Sequence, residues 1–178
     1  MADKGGNWER QVCKLISKWI QGTEKPYLVW RGRGSGGMFT NNECVGETFA
    51  GDIYPISEKS KFLMNKFIFE CKSGYPSTSL DNHLKYNKSD YLRDFWIQVC
   101  TDADKTSKQP ILIYKKKGMS TPWVGINDWL YNKLSKYLTE LRFVCVKYEP
   151  TLQLPDLYLF EMYQFFDNIT PQIIEEKL

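Results

Sequence analysis

Apolar residues recur at two different spacings along this chain, and each spacing predicts a different kind of element. Between Trp8 and Gln21 they recur every three or four residues, which predicts an amphipathic helix. The segment from Asp90 to Thr101 has the same spacing and predicts a second helix. Short apolar runs bounded by polar or glycine-containing segments predict four strands, near residues 27–31, 48–54, 66–72 and 111–114.

The last third of the chain continues the alternation of helices and strands. Residues 126–138 have helical spacing, and residues 143–146 and 157–160 predict two more strands. A short helix is expected near Pro171. These elements follow the helices and strands that are predicted in the first two thirds of the chain.

The order of the elements predicts the fold class. Helix, three strands, helix and strand follow one another, which predicts an α/β fold with a mixed central sheet flanked by helices. No internal repeat or low-complexity linker interrupts residues 1–178, so we expect a single domain. Its core is expected at about residues 5–117, with a C-terminal α+β extension at about 118–178.

Composition narrows the class of protein only slightly. The 178 residues are 42% hydrophobic and 25% charged, which is typical of one globular domain. A net charge of +3 permits nucleic-acid binding without demonstrating it. Five scattered cysteines without a C-x-x-C spacing favour reduced thiols over disulfides or a zinc cluster. Because no signal core or long apolar run is present, we expect a cytoplasmic protein without membrane contact.

Two acidic segments carry the candidate chemistry. Asp52 follows one apolar run, and Glu70-Cys71-Lys72 ends another. If the two runs pair as neighbouring strands, the carboxylates meet at one edge of the sheet, and Glu70 and Lys72 share a face. Two carboxylates and an ammonium in one pocket can hold a divalent metal and activate water for phosphodiester cleavage, the pattern of a metal-dependent nuclease.

Each of these residues has a predicted role. Asp52 and Glu70 are the candidate metal ligands, and the backbone carbonyl of Cys71 is the natural third ligand. Mg²⁺ is the favoured ion because hard cations prefer oxygen ligands and keep several waters. Lys72 is predicted to orient the attacking water or to stabilise the charge of the transition state.

Two other signals point to different chemistry and are discounted. Gly32, Gly34 and Gly37 fit the G-x-G-x-x-G dinucleotide pattern, but the following residues are a poor helix start, so we expect no nucleotide cofactor. The only histidine, His83, lies in a polar segment, which excludes a nuclease of the HNH type because that type needs several histidines.

The motifs Gly51-Asp52 and Glu70-Cys71-Lys72 together resemble the signature of the PD-(D/E)XK nuclease superfamily, with glycine in place of the proline. The element order over residues 5–117 resembles that superfamily's restriction-endonuclease-like core. Within it the chain is most similar to Holliday-junction resolvases of the archaeal Hjc kind and their phage and bacterial relatives. The further residues that carry this likeness are Gly5–Arg10, Arg31–Gly36 and Ser73.

The resemblance implies further site residues. Glu9 matches a first-helix glutamate that completes the acidic pocket, directly or through water, so it is implied as a catalytic and metal-binding residue. Arg10 matches an adjacent arginine that contacts the DNA backbone. The other residues implied to bind DNA lie in the basic, serine-containing loop and after the catalytic lysine: Arg31, Arg33, Ser35 and Ser73.

The resemblance also implies a substrate and an assembly. It predicts a Mg²⁺-dependent endodeoxyribonuclease, with Mn²⁺ able to substitute, that acts on branched DNA as a homodimer with two sites related by a twofold axis. One alternative is another PD-(D/E)XK nuclease of repair, restriction or replication that acts on duplex, flap or single-stranded DNA. The other is a non-catalytic DNA-binding module, which the intact acidic residues and lysine disfavour.

Two features outside the motifs each have two possible interpretations. Gln98, on the second predicted helix, either faces the site or lies at the surface. The run Lys115-Lys116-Lys117 either binds phosphate or is a solvated strand end.

Overall fold

The structure is a computed structural model that describes residues 4–32, 50–75 and 90–178. The described α-helices are α1 (Lys4–Gln21), α2 (Lys61–Met64), α3 (Tyr91–Thr106), α4 (Asp128–Leu134), α5 (Met162–Asn168) and α6 (Pro171–Lys177). The described strands are β1 (Val29–Arg31), β2 (Ile53–Pro55), β3 (Phe67–Ser73), β4 (Gln109–Lys115), β5 (Trp123–Asn127), β6 (Phe143–Val146) and β7 (Leu157–Glu161).

The centre of the protein is a five-stranded sheet with the order β3-β4-β5-β7-β6. Strands β3 and β4 are parallel, whereas the other neighbours are antiparallel. The predicted α/β class with a mixed sheet flanked by helices is therefore confirmed. Strands β1 and β2 form a separate antiparallel pair beside the free edge of β3.

Helices cover both faces of the sheet because apolar side chains of β3 and β4 alternate between two cores. Phe69 and Ile113 pack in the core that includes α1, whereas Ile68 and Leu112 pack in the core that includes α3. Successive strand residues point to opposite faces. Cys71 accordingly joins the core on the α1 face, and the acidic and basic residues on either side of it face α3.

The predicted helix at residues 126–138 is wrong at its start. Strand β5 ends at Asn127, and α4 begins at Asp128, where the Asn127 side chain accepts a hydrogen bond from the backbone N–H of Leu130 (2.9 Å). Position 125, in the middle of β5, is occupied by glycine. A larger residue would crowd the neighbouring strand, because an added Cβ there would lie 2.6 Å from Leu157 Cδ1. Close packing between neighbouring strands therefore makes this segment a strand, and hydrophobic periodicity along the chain does not reveal that packing.

The predicted strand at residues 48–54 is also displaced. Strand β2 begins at Ile53, after Asp52 rather than before it, and residues 33–49 lie outside the described part of the chain. Gly51 has a φ of +90°, which breaks an extended run immediately before Asp52. The aspartate therefore lies immediately before β2.

Residues beyond 117 extend the same sheet. Strands β5, β6 and β7 are three of its five members, and the predicted strands at 143–146 and 157–160 and the helix near Pro171 are confirmed. Phe160 and Ile174 join the core that also contains α1. In the described residues no helix has the length and apolarity needed to span a bilayer.

Candidate active site

Three hydrogen bonds fix Asp52, and two of them join it to β3. Its backbone N–H donates to the carbonyl of Phe69 (2.7 Å), and its own carbonyl accepts from the N–H of Gly32 (2.9 Å). Its carboxylate Oδ2 accepts from the backbone N–H of Cys71 (2.7 Å). The carboxylate thus lies beside the Glu70-Cys71-Lys72 segment although the chain separates them by many residues.

The turn before Asp52 requires glycine. Gly51 adopts φ +90°, and an added Cβ would lie 3.0 Å from both the backbone oxygen of Phe69 and Cγ2 of Ile68. The hydroxyl of Tyr54 donates to the Gly51 carbonyl (2.9 Å) and holds the other side of the turn. The glycine that replaces the superfamily's proline is therefore a steric requirement of this chain.

Glu70 is buried and receives contacts from both sides. It is 2% exposed, and its Oε1 accepts a hydrogen bond from Nε2 of Gln98 (2.9 Å). The same oxygen contacts Nζ of Lys72. Gln98 is itself exposed on α3, so it lies at the surface and also reaches the site.

Burial shapes the electrostatics of the pair of carboxylates. Burial, together with the negative charge of Asp52, raises the pKa of Glu70 to about 7. Burial also raises the pKa of Asp52, opposed by the hydrogen bond from Cys71 and the charges of Lys72 and Arg31. Burial alone would lower the pKa of Lys72, but its contacts with the carboxylates raise it, so the ammonium stays charged at neutral pH.

The two carboxylates could hold a divalent cation. Raised pKa values mean that ionised Asp52 and Glu70 lack enough compensating positive charge, which a cation between them would supply. Among the described residues, no set of three or more histidine, cysteine, aspartate or glutamate side chains is placed to hold a metal. Two carboxylates completed by backbone carbonyls and water suit a hard ion that keeps its waters.

Proton release should govern metal affinity. Below pH 7 Glu70 is protonated in the metal-free protein, so binding of Mn²⁺ through this carboxylate would displace a proton. We expect the affinity to fall about tenfold for each pH unit below 7 and to level off above it. Calorimetric titration with Mn²⁺ between pH 5.5 and 8.5 measures this, and an affinity independent of pH across that range would contradict it.

The same pKa sets the sign of the effect on folding. The folded state holds the Glu70 proton more tightly than does a carboxyl with the ordinary pKa of 4.5. Glu70 therefore lowers the free energy of unfolding of the metal-free protein as the pH rises from 4.5 to 7.

Glu9 and Arg31 form an ion pair next to the site. Glu9 is buried on α1, and its Oε2 lies 3.2 Å from Nε of Arg31. The charge of Arg31 acts on Asp52, and the charges of Glu9, Asp52 and Glu70 all help to raise the pKa of the Cys71 thiol, after burial. Glu9 is thus within electrostatic reach of the site, although no three-acid metal cluster forms among the described residues.

The other residues implied to bind DNA are distributed unevenly. Arg10 is half-buried on α1, and Ser73 is half-buried at the end of β3. Arg33 and Ser35 lie outside the described residues. Tyr54 was not recognised from the sequence, although its position two residues after Asp52 was a usable signal.

Comparison with known proteins supports a nuclease assignment for this chain. A family described as "Phage putative PDDEXK endonuclease" matches residues 1–176. The chain belongs to this family. No significant match was found among curated proteins or among solved structures. Membership places the chain in the PD-(D/E)XK superfamily of divalent-metal nucleases, whose substrate is DNA, and the match extends well beyond the motifs at residues 5–117.

Proposed function

We propose that this family member is a Mg²⁺-dependent endonuclease whose metal is held by Asp52 and Glu70. The observation that carries the proposal is the buried pair of carboxylates, each with a raised pKa, beside a charged Lys72. Mg²⁺, when bound, supplies Lewis-acid polarisation of the scissile phosphate and lowers the pKa of water. Mn²⁺ is proposed to substitute because it accepts the same oxygen ligands.

Residues of the chain are proposed to bind the metal, to orient the Glu70 carboxylate and to stabilise charge on the phosphate. The bond from Cys71 N–H to Oδ2 of Asp52 leaves Oδ1 as the proposed ligand atom, with the Cys71 carbonyl as a further ligand. Gln98 and Lys72 both hold Oε1 of Glu70 and so fix that carboxylate. Because its raised pKa keeps Lys72 charged, the lysine orients water and stabilises phosphate charge instead of acting as a base.

The outer residues are proposed to bind substrate. Glu9 holds Arg31 near Asp52, where the arginine can contact a phosphate, and Glu9 itself joins the metal site through water. The remaining proposed DNA-binding residues are Arg10, Arg33, Ser35 and Ser73.

We propose branched DNA as the preferred substrate and a homodimer as the active assembly. Support comes from the resemblance of the motifs to Holliday-junction resolvases. Two sites related by a twofold axis suit paired nicks across a four-way junction.

Removing the metal tests the function directly. We expect the wild-type protein to cleave a synthetic four-way junction in Mg²⁺ or Mn²⁺ and to leave it intact in EDTA. A linear duplex of the same sequence should be cleaved more slowly, as gel electrophoresis of labelled strands would record. Equal rates on both substrates would replace the junction preference with a broader one, and Mg²⁺-stimulated binding without product would support a non-catalytic module.

A further inference from the structure

An exposed group of aromatic rings lies beside the catalytic lysine. We call Tyr75, Tyr91 and Phe95 the aromatic shelf. The ring centroids of the two tyrosines are 5.5 Å apart, and that of Phe95 lies 4.9 Å from Tyr75 and 6.2 Å from Tyr91. The tyrosines are 37% and 36% exposed, whereas Phe95 is buried in the core beneath α3. The shelf therefore presents aromatic surface on a packed base.

The shelf begins next to the proposed reaction centre. Nζ of Lys72 lies 5.5 Å from the ring centroid of Phe95, so the lysine contacts both the shelf and Glu70. Only Ser73 and Gly74 separate Lys72 from Tyr75 in the chain. A nucleotide adjacent to a phosphate at Lys72 therefore falls within reach of the shelf.

A second lysine lies next to the shelf. The backbone N–H of Gly74 donates to the carbonyl of Lys115 (3.2 Å), and that of Lys117 donates to the carbonyl of Tyr75 (3.4 Å). The second bond brings the exposed Lys117 beside Tyr75. Nζ of Lys115 instead lies 5.8 Å from the ring centroid of Trp8 on α1, on the other face of the sheet. The nearby acid Asp94 is paired with Arg93, at 3.8 Å between Nη2 and Oδ1. Aromatic surface bordered by cations matches a nucleic-acid strand.

We propose that the aromatic shelf stacks an unpaired nucleobase next to the scissile phosphate, while Lys117 holds a flanking phosphate. Inside a duplex both faces of a base are covered by its neighbours, so a protein ring can stack only on a base at a branch, an end or in a single strand. This inference rests on the proposed function, and it assigns the substrate preference to a specific surface.

The first experiment uses the wild-type protein and a DNA fork in EDTA, where cleavage does not interfere. Forks carry the fluorescent base 2-aminopurine at each of the three unpaired positions nearest the branch, and a linear duplex carries it paired. Stacking on the shelf should quench the fluorescence at one or more fork positions and leave the duplex signal unchanged. Absence of quenching at all three positions under saturating protein overturns the proposal.

Variants assign the effect to the shelf. The double variant Tyr75→Leu/Tyr91→Leu keeps apolar bulk but removes both exposed rings, so it should lose the quenching and bind the fork about 5- to 150-fold more weakly. Its binding to duplex should stay within twofold of wild type. The matched control is Tyr163→Leu on α5, because Tyr163 is 52% exposed and lies outside the shelf. Fork binding within twofold of wild type by the double variant overturns the proposal.

A ring-preserving variant guards against a simple folding defect. Tyr91→Trp keeps an aromatic face and should bind the fork at least as tightly as wild type, whereas a tenfold loss would overturn stacking. Asp52→Asn should lose cleavage yet keep the fork quenching, because the shelf acts without metal. Failure of the proposed function, in which wild type cleaves no DNA, is thereby distinguished from failure of the shelf.

Discussion

Glu70→Gln should lower the rate of Mg²⁺-dependent cleavage at least about 1000-fold without unfolding the protein. Glutamine keeps the shape of the side chain and its contact with Gln98, but it removes the negative charge that would bind the cation. Rates of single-turnover cleavage on a labelled junction would measure the loss. Asp52→Asn should behave in the same way, because both carboxylates are proposed to hold one ion.

The stability of the same variant distinguishes a functional charge from a structural one. At pH 8 wild-type Glu70 is ionised although burial and Asp52 disfavour that form, since its pKa is about 7. The neutral glutamine escapes this penalty, so the free energy of metal-free unfolding should stay equal or increase, by at most about 3 kcal/mol. Urea denaturation in EDTA measures it.

The control for charge removal is Glu58→Gln. The Glu58 side chain is 83% exposed and pairs with Lys61 at the surface, so both activity and stability should change little. The assignment of the site fails if Glu70→Gln cleaves within tenfold of wild type.

Gly51→Pro is the second change with a large expected effect, although it restores the proline of the superfamily motif. Proline holds φ near −65°, whereas residue 51 has a φ of +90°. The turn would have to rearrange, and the bonds of Asp52 to Phe69 and Cys71 would be lost. We expect a cleavage rate at least about 100-fold lower and a loss of about 3 kcal/mol of stability or more.

Substitution of glycine by alanine at two positions distinguishes the cost of a positive φ from the cost of the close contact between residue 51 and β3. Gly51→Ala adds a Cβ that meets backbone at 3.0 Å, whereas Gly118→Ala adds one at a similar φ of +83° with nothing within 4 Å. Gly118→Ala should cost about 1 kcal/mol and leave cleavage unchanged, while Gly51→Ala should cost more and impair metal binding. Thermal denaturation and Mn²⁺ titration of both variants measure this, and equal behaviour would show that the contact with Phe69 does not matter.

Local pattern was enough to predict most of the fold. The helical spacing of α1 and α3 and the apolar runs of β3, β4, β6 and β7 arise from neighbours in the chain, and those elements lie where they were expected. Strand β5 was not predicted, and its last two residues, Ile126 and Asn127, were assigned to a helix. Its packing as a strand depends on the space that Gly125 leaves for Leu157. Only the partner strand reveals that requirement.

In the candidate site, too, the local features could be predicted from the sequence, whereas the contacts between distant residues could not. The spacing of Glu70 and Lys72 on one strand face could be predicted from the sequence, because strand alternation is a local property. Gln98 kept two readings because its contact with Glu70 depends on how α3 packs across the sheet. The glycine before Asp52 looked like a departure from the motif until its φ and its closeness to β3 explained it.

The sequence by itself determined the residue types, the order of the elements and the faces on which neighbouring side chains lie. Only the tertiary structure decided that Asp52 bonds to Cys71, that Glu9 pairs with Arg31, and that two tyrosines border the site. It also decided the raised pKa of Glu70. The physical reason is that periodicity acts between neighbours in the chain, whereas burial and charge coupling act through space between residues that the chain keeps far apart.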